Sequence, residues 1–445
     1  MVRVYIETYG CTLNRFDSEV MVYYLRKEGY IIVNDLDEAD IIIINSCGVK
    51  KQTEDRIISR LKKLRRLFDN RKKIILAGCL PLINYNRVKK ETNVDAMAGP
   101  SPGMHILKVV KEVEEGNYVE FLNIKEDLST PSLYINKGEV TKPIGIASGC
   151  LDKCSFCGTR NARGYVKSRP IDDILRLIKR YVDNGIKEIY LTSLDNGAYG
   201  FDLKPRVSII DLLRKIDSLS GDFIVRIGMM NPRWAYKYLE DLIEIFRNSK
   251  KFYYFLHVPV QSGSNKVLKI MNRGHGVEEY LEVVKRLRKE IDKKFTIMTD
   301  IIVGHPGEDD HDFEETLELM KLSMPDYVNI SQFFPRPNTP AAYMKKVPTH
   351  IVKSRSTELS FLVDKIMFKR NSLWLNWEGV ILINEEGRKG RLIGRNYAYK
   401  HFAVDRDNIR VGDLVEIKVV QAYTTWLYGE PRKKFSSLYE LWKQV

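Results

Sequence analysis

The runs at 39–45 (ADIIIIN) and 73–77 (KIILA) each hold four consecutive apolar residues with no polar alternation. A strand with one wet face alternates. An unbroken Ile/Leu run must be covered on both faces, as in a parallel sheet between helical layers. Residues 2–8 (VRVYIET) add another strand and 94–98 a weaker one, with helical patterns at 17–27, 52–68 and 104–114. This spacing predicts an α/β unit over 1–112 built on a doubly wound parallel sheet. The polar, irregular stretch 113–140 reads as a linker.

A second strand–helix series begins at 144. Strands are expected at 144–147, 188–192, 223–227, 253–258, 295–303 and 327–333, and helices at 172–182, 209–219, 234–246, 277–289 and 312–322. Six βα units are too few for an eight-fold barrel and suit an open, partial (β/α)6 barrel over 141–371, ending in a basic helix at 349–371. Beyond 374 the pattern turns to short strands (WEGVILI, GRLIGR, HFAV, DLVEIKVVQA). Residues 372–435 are therefore expected to close into a small antiparallel OB-like barrel.

Lys and Arg number 72 against 58 Asp and Glu, a net charge of +14 over 445 residues. Such a chain is attracted to polyanions, nucleic acid first, although a Lys-rich surface also suits a heat-adapted protein. No apolar stretch approaches the ~20 residues that cross a bilayer, and the opening MVRVYIETYG lacks a secretion-signal layout. A cytoplasmic protein without a membrane is expected, and a monomer.

Thiols in that compartment stay reduced, so the six cysteines read as ligands or nucleophiles. Cys150, Cys154 and Cys157 form a C-x3-C-x2-C loop directly after the first barrel strand, where such barrels carry their active-site loops. Three thiolates can hold three irons of a cubane cluster and leave the fourth open. Zinc is the rival, but a closed zinc site needs four ligands, and His105 and His257 are distant in sequence. Cys11, Cys47 and Cys79 each lie just past the C-terminal end of an expected strand, beside Gly10, Gly48 and Gly78. Singly each would pass as a core thiol. Three equivalent placements on one sheet edge instead suggest a second cluster site.

The C-x3-C-x2-C loop, with Phe156 before its third cysteine, resembles the radical SAM superfamily. Together with TYGCTLN, NSCGVK and AGCLP, the whole chain is similar to the methylthiotransferases, whose terminal module is an RNA-binding TRAM barrel. The resemblance implies two 4Fe–4S clusters. One chelates S-adenosylmethionine, whose reductive cleavage gives a 5′-deoxyadenosyl radical. The other presents sulfur for insertion into a C–H bond, and two molecules of S-adenosylmethionine are consumed. It also implies an electron donor such as ferredoxin or flavodoxin, and a sulfide source. Further matches are LTSLDNGAYG, FLHVPVQSGSNKVL, TDIIVGHPGE and FFPRPNTPAA, with Asn196 where relatives often carry Thr and His305 in place of Phe.

By that resemblance Ser193, Asp195 and Asn196 face the amino-acid end of S-adenosylmethionine. From their positions, His257, Gln261 and Ser262 end the fourth barrel strand and face the cavity, and Asp300 and Glu308 flank the fifth, where Glu308 could equally cap the following helix. Arg160, Arg163 and Arg169 are candidates for its carboxylate or for RNA phosphates. Two basic groups could track RNA as well: 50–73 in the first domain, and Lys345, Lys346, Lys353 and Arg355 before the barrel. In the barrel, Arg388, Lys389, Arg391, Arg395 and Lys400 interleave with Tyr397, Tyr399 and Phe402, a pattern that suits RNA stacking. FFPRPNTPAA, LTSLDNGAYG and RIGMMNPRW are most similar to the archaeal–eukaryotic branch that acts on N6-threonylcarbamoyladenosine beside the tRNA anticodon. The alternatives are isopentenyl-adenosine in tRNA, a ribosomal-protein aspartate, or a non-catalytic zinc and RNA-binding protein.

Overall fold

The computed structural model describes residues 1–123 and 133–443. They form two compact units, one of Met1–Tyr134, Pro143–Pro170 and Phe334–Tyr343, the other of Ile135–Lys142, Ile171–Phe333 and Met344–Val445.

The first unit is built on six parallel strands: β1 (Arg3–Thr8), β2 (Ile31–Ile32), β3 (Ile41–Ser46), β4 (Lys73–Gly78), β5 (Ala96–Ala98) and β6 (Val119–Phe121), in the order β2-β1-β3-β4-β5-β6. The Ile run of β3 explains itself. Ile42 and Ile44 pack with Ile57, Leu61 and Leu64 on one face, while Ile41 and Ile43 pack with Ile106, Val109 and Val110 on the other. At ~1.5–3 kcal/mol per buried Ile side chain, this strand is a main anchor of the unit. β6 lies inside the expected linker, where Ala96 pairs with Val119 and Ala98 with Phe121. The linker reading overlooked it because three residues with only two apolar side chains carry little pattern. Residues 124–132 of that linker lie outside the described residues.

After β7 (Thr141–Gly145), the antiparallel pair β8 (Ala147–Ser148) and β9 (Lys167–Ser168) brackets the loop of Cys150, Cys154 and Cys157.

In the second unit, β10 (Glu188–Thr192) pairs in parallel with β11 (Ile224–Arg226), and β12 (Phe255–His257), β13 (Thr296–Val303) and β14 (Tyr327–Gln332) form a parallel set. A parallel bridge from Val225 to Phe252 links the two. β15 (Glu378–Glu386), β16 (Leu392–Arg395), β17 (His401–Val404), β18 (Leu414–Ala422) and β19 (Leu427–Phe435) close into a barrel in the order β15-β16-β17-β19-β18. The α/β architecture with a small terminal barrel agrees with the sequence reading.

The barrel differs from expectation in which residues it hides. Tyr397 and Phe402 are buried, as are Arg395 and Lys400, so this stretch does not present a wet face to RNA. It docks on the central strands: Tyr254 N donates to Tyr397 O at 2.8 Å, and the Tyr399 ring lies 4.8 Å from that of Phe255. Lys400 Nζ is 3.0 Å from Asp326 Oδ1. Arg355 is likewise buried, 2.7 Å from Glu308. Arg388 and Lys389 are exposed. Among the described residues no helix is long and apolar enough to cross a membrane.

Candidate active site

β1, β3 and β4 are neighbours, and each runs out into a turn carrying one cysteine: Cys11, Cys47 and Cys79. The turns are laced together, Tyr9 N donating to Asn45 O at 2.8 Å and Cys79 N to Ser46 O at 2.9 Å. Two glycines permit this closeness. Gly10 has φ +111°, and a Cβ there would meet Cys47 Cβ at 2.5 Å. Gly78 has φ +96°, and its Cβ would meet Ser46 O at 2.4 Å. Gly10→Ala is expected to cost about 1–2 kcal/mol in backbone strain and to displace Cys47. The checking measurement is iron content after anaerobic reconstitution, which should fall by half while circular dichroism stays native.

Cys11 is exposed, and Cys47 and Cys79 are buried. Burial raises the pKa of Cys47 and takes that of Cys79 to about 12, against the pull of the Arg163 guanidinium. Thiols so placed ionise when a bound cation compensates them. Three thiols at each site, with no histidine ligand beside them in the sequence, are a donor set that suits an iron–sulfur cluster, whose usual ligand is thiolate, whereas a closed zinc site needs four ligands.

Cys150, Cys154 and Cys157 are half-buried. Their loop is held by Cys150 N donating to Gly164 O at 3.2 Å and Cys157 N to Cys154 O at 3.1 Å. Cys157 caps the helix Gly158–Arg163. At the far end of that helix, Arg163 is fully buried and paired with Asp17 at 2.5 Å, so it faces neither solvent nor RNA. Its Nε donates to Cys79 Sγ at 3.3 Å. Arg169 is also buried; its Nε donates to Gly145 O at 2.6 Å, and its guanidinium sits 4.9 Å from the Phe16 ring centroid. Arg160 is half-buried beside Tyr165.

In the second unit, the loop after β10 is folded on itself. Ser193 Oγ donates to Asn196 Oδ1 at 3.0 Å, and Asp195 Oδ1 accepts from Gly197 N and Asn231 N, both at 3.1 Å. Asn196 N donates to Met229 O and Met230 N to His257 O, both at 2.9 Å, which carries the edge on to β12. There His257 Nε2 lies 3.1 Å from Asp300 Oδ1, and Asn329 Nδ2 donates to the same oxygen at 2.8 Å. Gln261 has φ +80°, unusual for a residue with a side chain, and its backbone bonds to Asp300 O and Ile302 N on β13. The strand ends therefore gather Ser193, Asp195, Asn196, His257, Gln261 and Asp300 on one edge.

Sequence reasoning did not assign Asn231, Asn14 or Asp17. A signal existed for the last two: Asn14, Asp17 and Ser18 are polar on the buried face of the helix Thr12–Lys27 beside Leu13, Phe16 and Val20.

Residues 144–320 match the Radical SAM superfamily, and residues 3–99 match "Uncharacterized protein family UPF0004". A Pyrococcus abyssi protein described as a probable threonylcarbamoyladenosine tRNA methylthiotransferase is 39% identical over 97% of this chain and 99% of its own length. The Homo sapiens threonylcarbamoyladenosine tRNA methylthiotransferase is 33% identical over 96% of this chain and 74% of its own. The chain belongs to this methylthiotransferase family. It is accordingly a radical SAM enzyme that uses S-adenosylmethionine and 4Fe–4S clusters. Among solved structures, the radical S-adenosylmethionine methyltransferase TsrM from Kitasatospora setae is similar at a TM-score of 0.57 and 14% identity, covering 77% of this chain and 75% of that one. That likeness concerns the fold alone.

Proposed function

We propose that this methylthiotransferase replaces the C2 hydrogen of N6-threonylcarbamoyladenosine, beside the tRNA anticodon, with a methylthio group. The observation that carries the reading is the match, over nearly the whole of this chain, to relatives described by that activity, in a chain whose six cysteines fall into a C-x3-C-x2-C loop and three strand-end turns. Residues 1–112 would supply the auxiliary cluster site, 141–371 the radical chemistry and 372–435 the RNA grip.

Cys150, Cys154 and Cys157 would hold the cluster that binds and cleaves S-adenosylmethionine, and Cys11, Cys47 and Cys79 the one that presents sulfur. The folded loop at 193–196 with Asn231 offers fixed dipoles to the amino-acid end of the cofactor, and Arg169 is a fixed charge at the end of β7. His257, Gln261 and Asp300 supply polar atoms on the same edge as that loop. An external low-potential donor such as ferredoxin or flavodoxin would feed electrons, and a sulfide source would restore the sulfur. We place the enzyme in the cytoplasm, as a monomer.

The burial of Tyr397 and Phe402 moves the RNA-stacking role elsewhere on the barrel. The rings of half-exposed Tyr423 and Trp426 stack at 3.9 Å. Arg391 lies 5.8 Å from the Trp426 centroid and 5.1 Å from that of Tyr428. Partly exposed aromatic faces beside a guanidinium form a base-stacking platform.

The test is incubation of reconstituted enzyme with two tRNAs, one carrying threonylcarbamoyladenosine and one isopentenyl-adenosine, followed by mass spectrometry of the nucleosides. A methylthio gain on the first is expected. Gain only on the second, or on neither, would refute the substrate reading.

A further inference from the structure

Arg163 has five N–H donors and no exposure. Besides the bond from Nε to Cys79, its terminal nitrogens donate to Ser101 Oγ at 3.0 Å, Asn14 Oδ1 at 3.1 Å and Asp17 Oδ2 at 2.5 Å. Asp17 is itself buried, and its other oxygen accepts from Ser101 Oγ at 2.8 Å. The guanidinium fork is thereby fixed in one orientation, with Nε–H left to point at sulfur. This is a charge held in a low-dielectric pocket, where its field is weakly screened. It also sits on the helix that begins at Cys157, so one short element runs from one triad to the other.

An iron–sulfur cluster gains one negative charge when it takes up one electron. A donor aimed at a ligand sulfur stabilises the reduced form more than the oxidised one, and hydrogen bonds to sulfur are among the terms that set cluster potentials. We propose that Arg163 is a positioning residue that raises the reduction potential of the cluster on Cys11, Cys47 and Cys79 through its bond to Cys79 Sγ, with Asp17 offsetting part of that effect. The proposal rests on the reading that these three cysteines hold a cluster. The residue acts through a ligand and touches no substrate.

The experiment uses the full-length chain with Cys150, Cys154 and Cys157 changed to Ala, so that one cluster remains. It is reconstituted anaerobically and titrated one electron at a time with a chemical reductant, the reduced cluster being followed by electron paramagnetic resonance. Iron content tests the underlying reading: a chain without iron refutes the cluster assignment before any potential is measured. Three variants then test the proposal. Arg163→Gln with Asp17→Asn removes both charges, so neither is left buried alone. Its potential is expected to fall by at least a tenfold change in the reduction equilibrium, about 59 mV for one electron. Arg163→Lys keeps the charge without the fork and should fall by less. Asp17→Asn alone leaves the cation uncompensated and should move the potential upward. A purely structural role predicts no such reversal of sign. Unchanged potentials, shifts in one direction for all three, or loss of the cluster from all three would overturn the proposal.

Discussion

Alanine at Cys150, Cys154 or Cys157 is expected to reduce cleavage of S-adenosylmethionine to background. Alanine at Cys11, Cys47 or Cys79 is expected to leave cleavage intact and abolish sulfur insertion. The separation follows from placement. The first three thiols share one loop between β8 and β9, and a three-legged site cannot lose a leg and still hold a cluster with one coordination position open. The other three sit on separate turns after β1, β3 and β4, so removing one takes no ligand from the loop and leaves the bond from Cys150 N to Gly164 O in place. The readouts are 5′-deoxyadenosine by chromatography and methylthiolated nucleoside by mass spectrometry, measured on the same reconstituted samples. Sulfur insertion by a variant lacking all of Cys11, Cys47 and Cys79 would remove the auxiliary role from them.

Asp326→Ala is expected to destabilise the second unit by about 3–5 kcal/mol, the usual result of breaking a buried ion pair from one side. Asp326 is 1% exposed, and its carboxylate is met at 3.0 Å by Arg288, Arg370 and Lys400 alike. Removing it leaves the fully buried Lys400 without its counter-charge, although Asn371 Oδ1 still accepts from Nζ at 2.9 Å. Burial alone would push the pKa of Asp326 up. The three cations outweigh it and hold the pKa far below the ordinary carboxylate range. A depressed carboxylate pKa contributes stability above its unfolded value of ~3.9, and that contribution is lost as pH falls toward the folded value. The gap between wild type and variant should thus be constant from neutrality to about pH 4 and close below it. Denaturant unfolding followed by near-ultraviolet circular dichroism at several pH values reads it. Coincident curves at pH 7 would show that the cluster of charges is energetically idle.

The first sheet was readable because burial on both faces leaves no polar position to confuse the pattern, and the Ile run of β3 could be little else. The cysteines were readable for a related reason: each follows a strand, and strand ends on one edge are neighbours whatever lies between them in sequence. Charged residues inside the molecule were not. Arg395 and Lys400 interleaved with aromatics have the composition of a wet RNA face, yet the partner of Lys400 is Asp326, 74 positions earlier and buried just ahead of β14. Arg163 was misjudged in the same way, because the acid that neutralises it, Asp17, belongs to the first helix of the chain. Local sequence reports which side chains are charged, and only the tertiary arrangement reports which of them are already matched. Asn231 escaped because it pins the 193–196 loop through a backbone N–H, which any residue but proline could supply, while its side chain caps the helix Pro232–Lys237 as an ordinary Asn would.

The Asp326–Lys400 contact and the bond between Tyr254 and Tyr397 fasten the terminal barrel at the starts of β14 and β12, strands that pair with β13 on either side and so frame His257 and Asp300. An RNA gripped by the barrel, as proposed, would be held at a fixed reach from those two side chains, like a workpiece in a jig. Exchanging the barrel for that of a relative with different bolts would therefore misalign the tool even if the grasp itself were perfect.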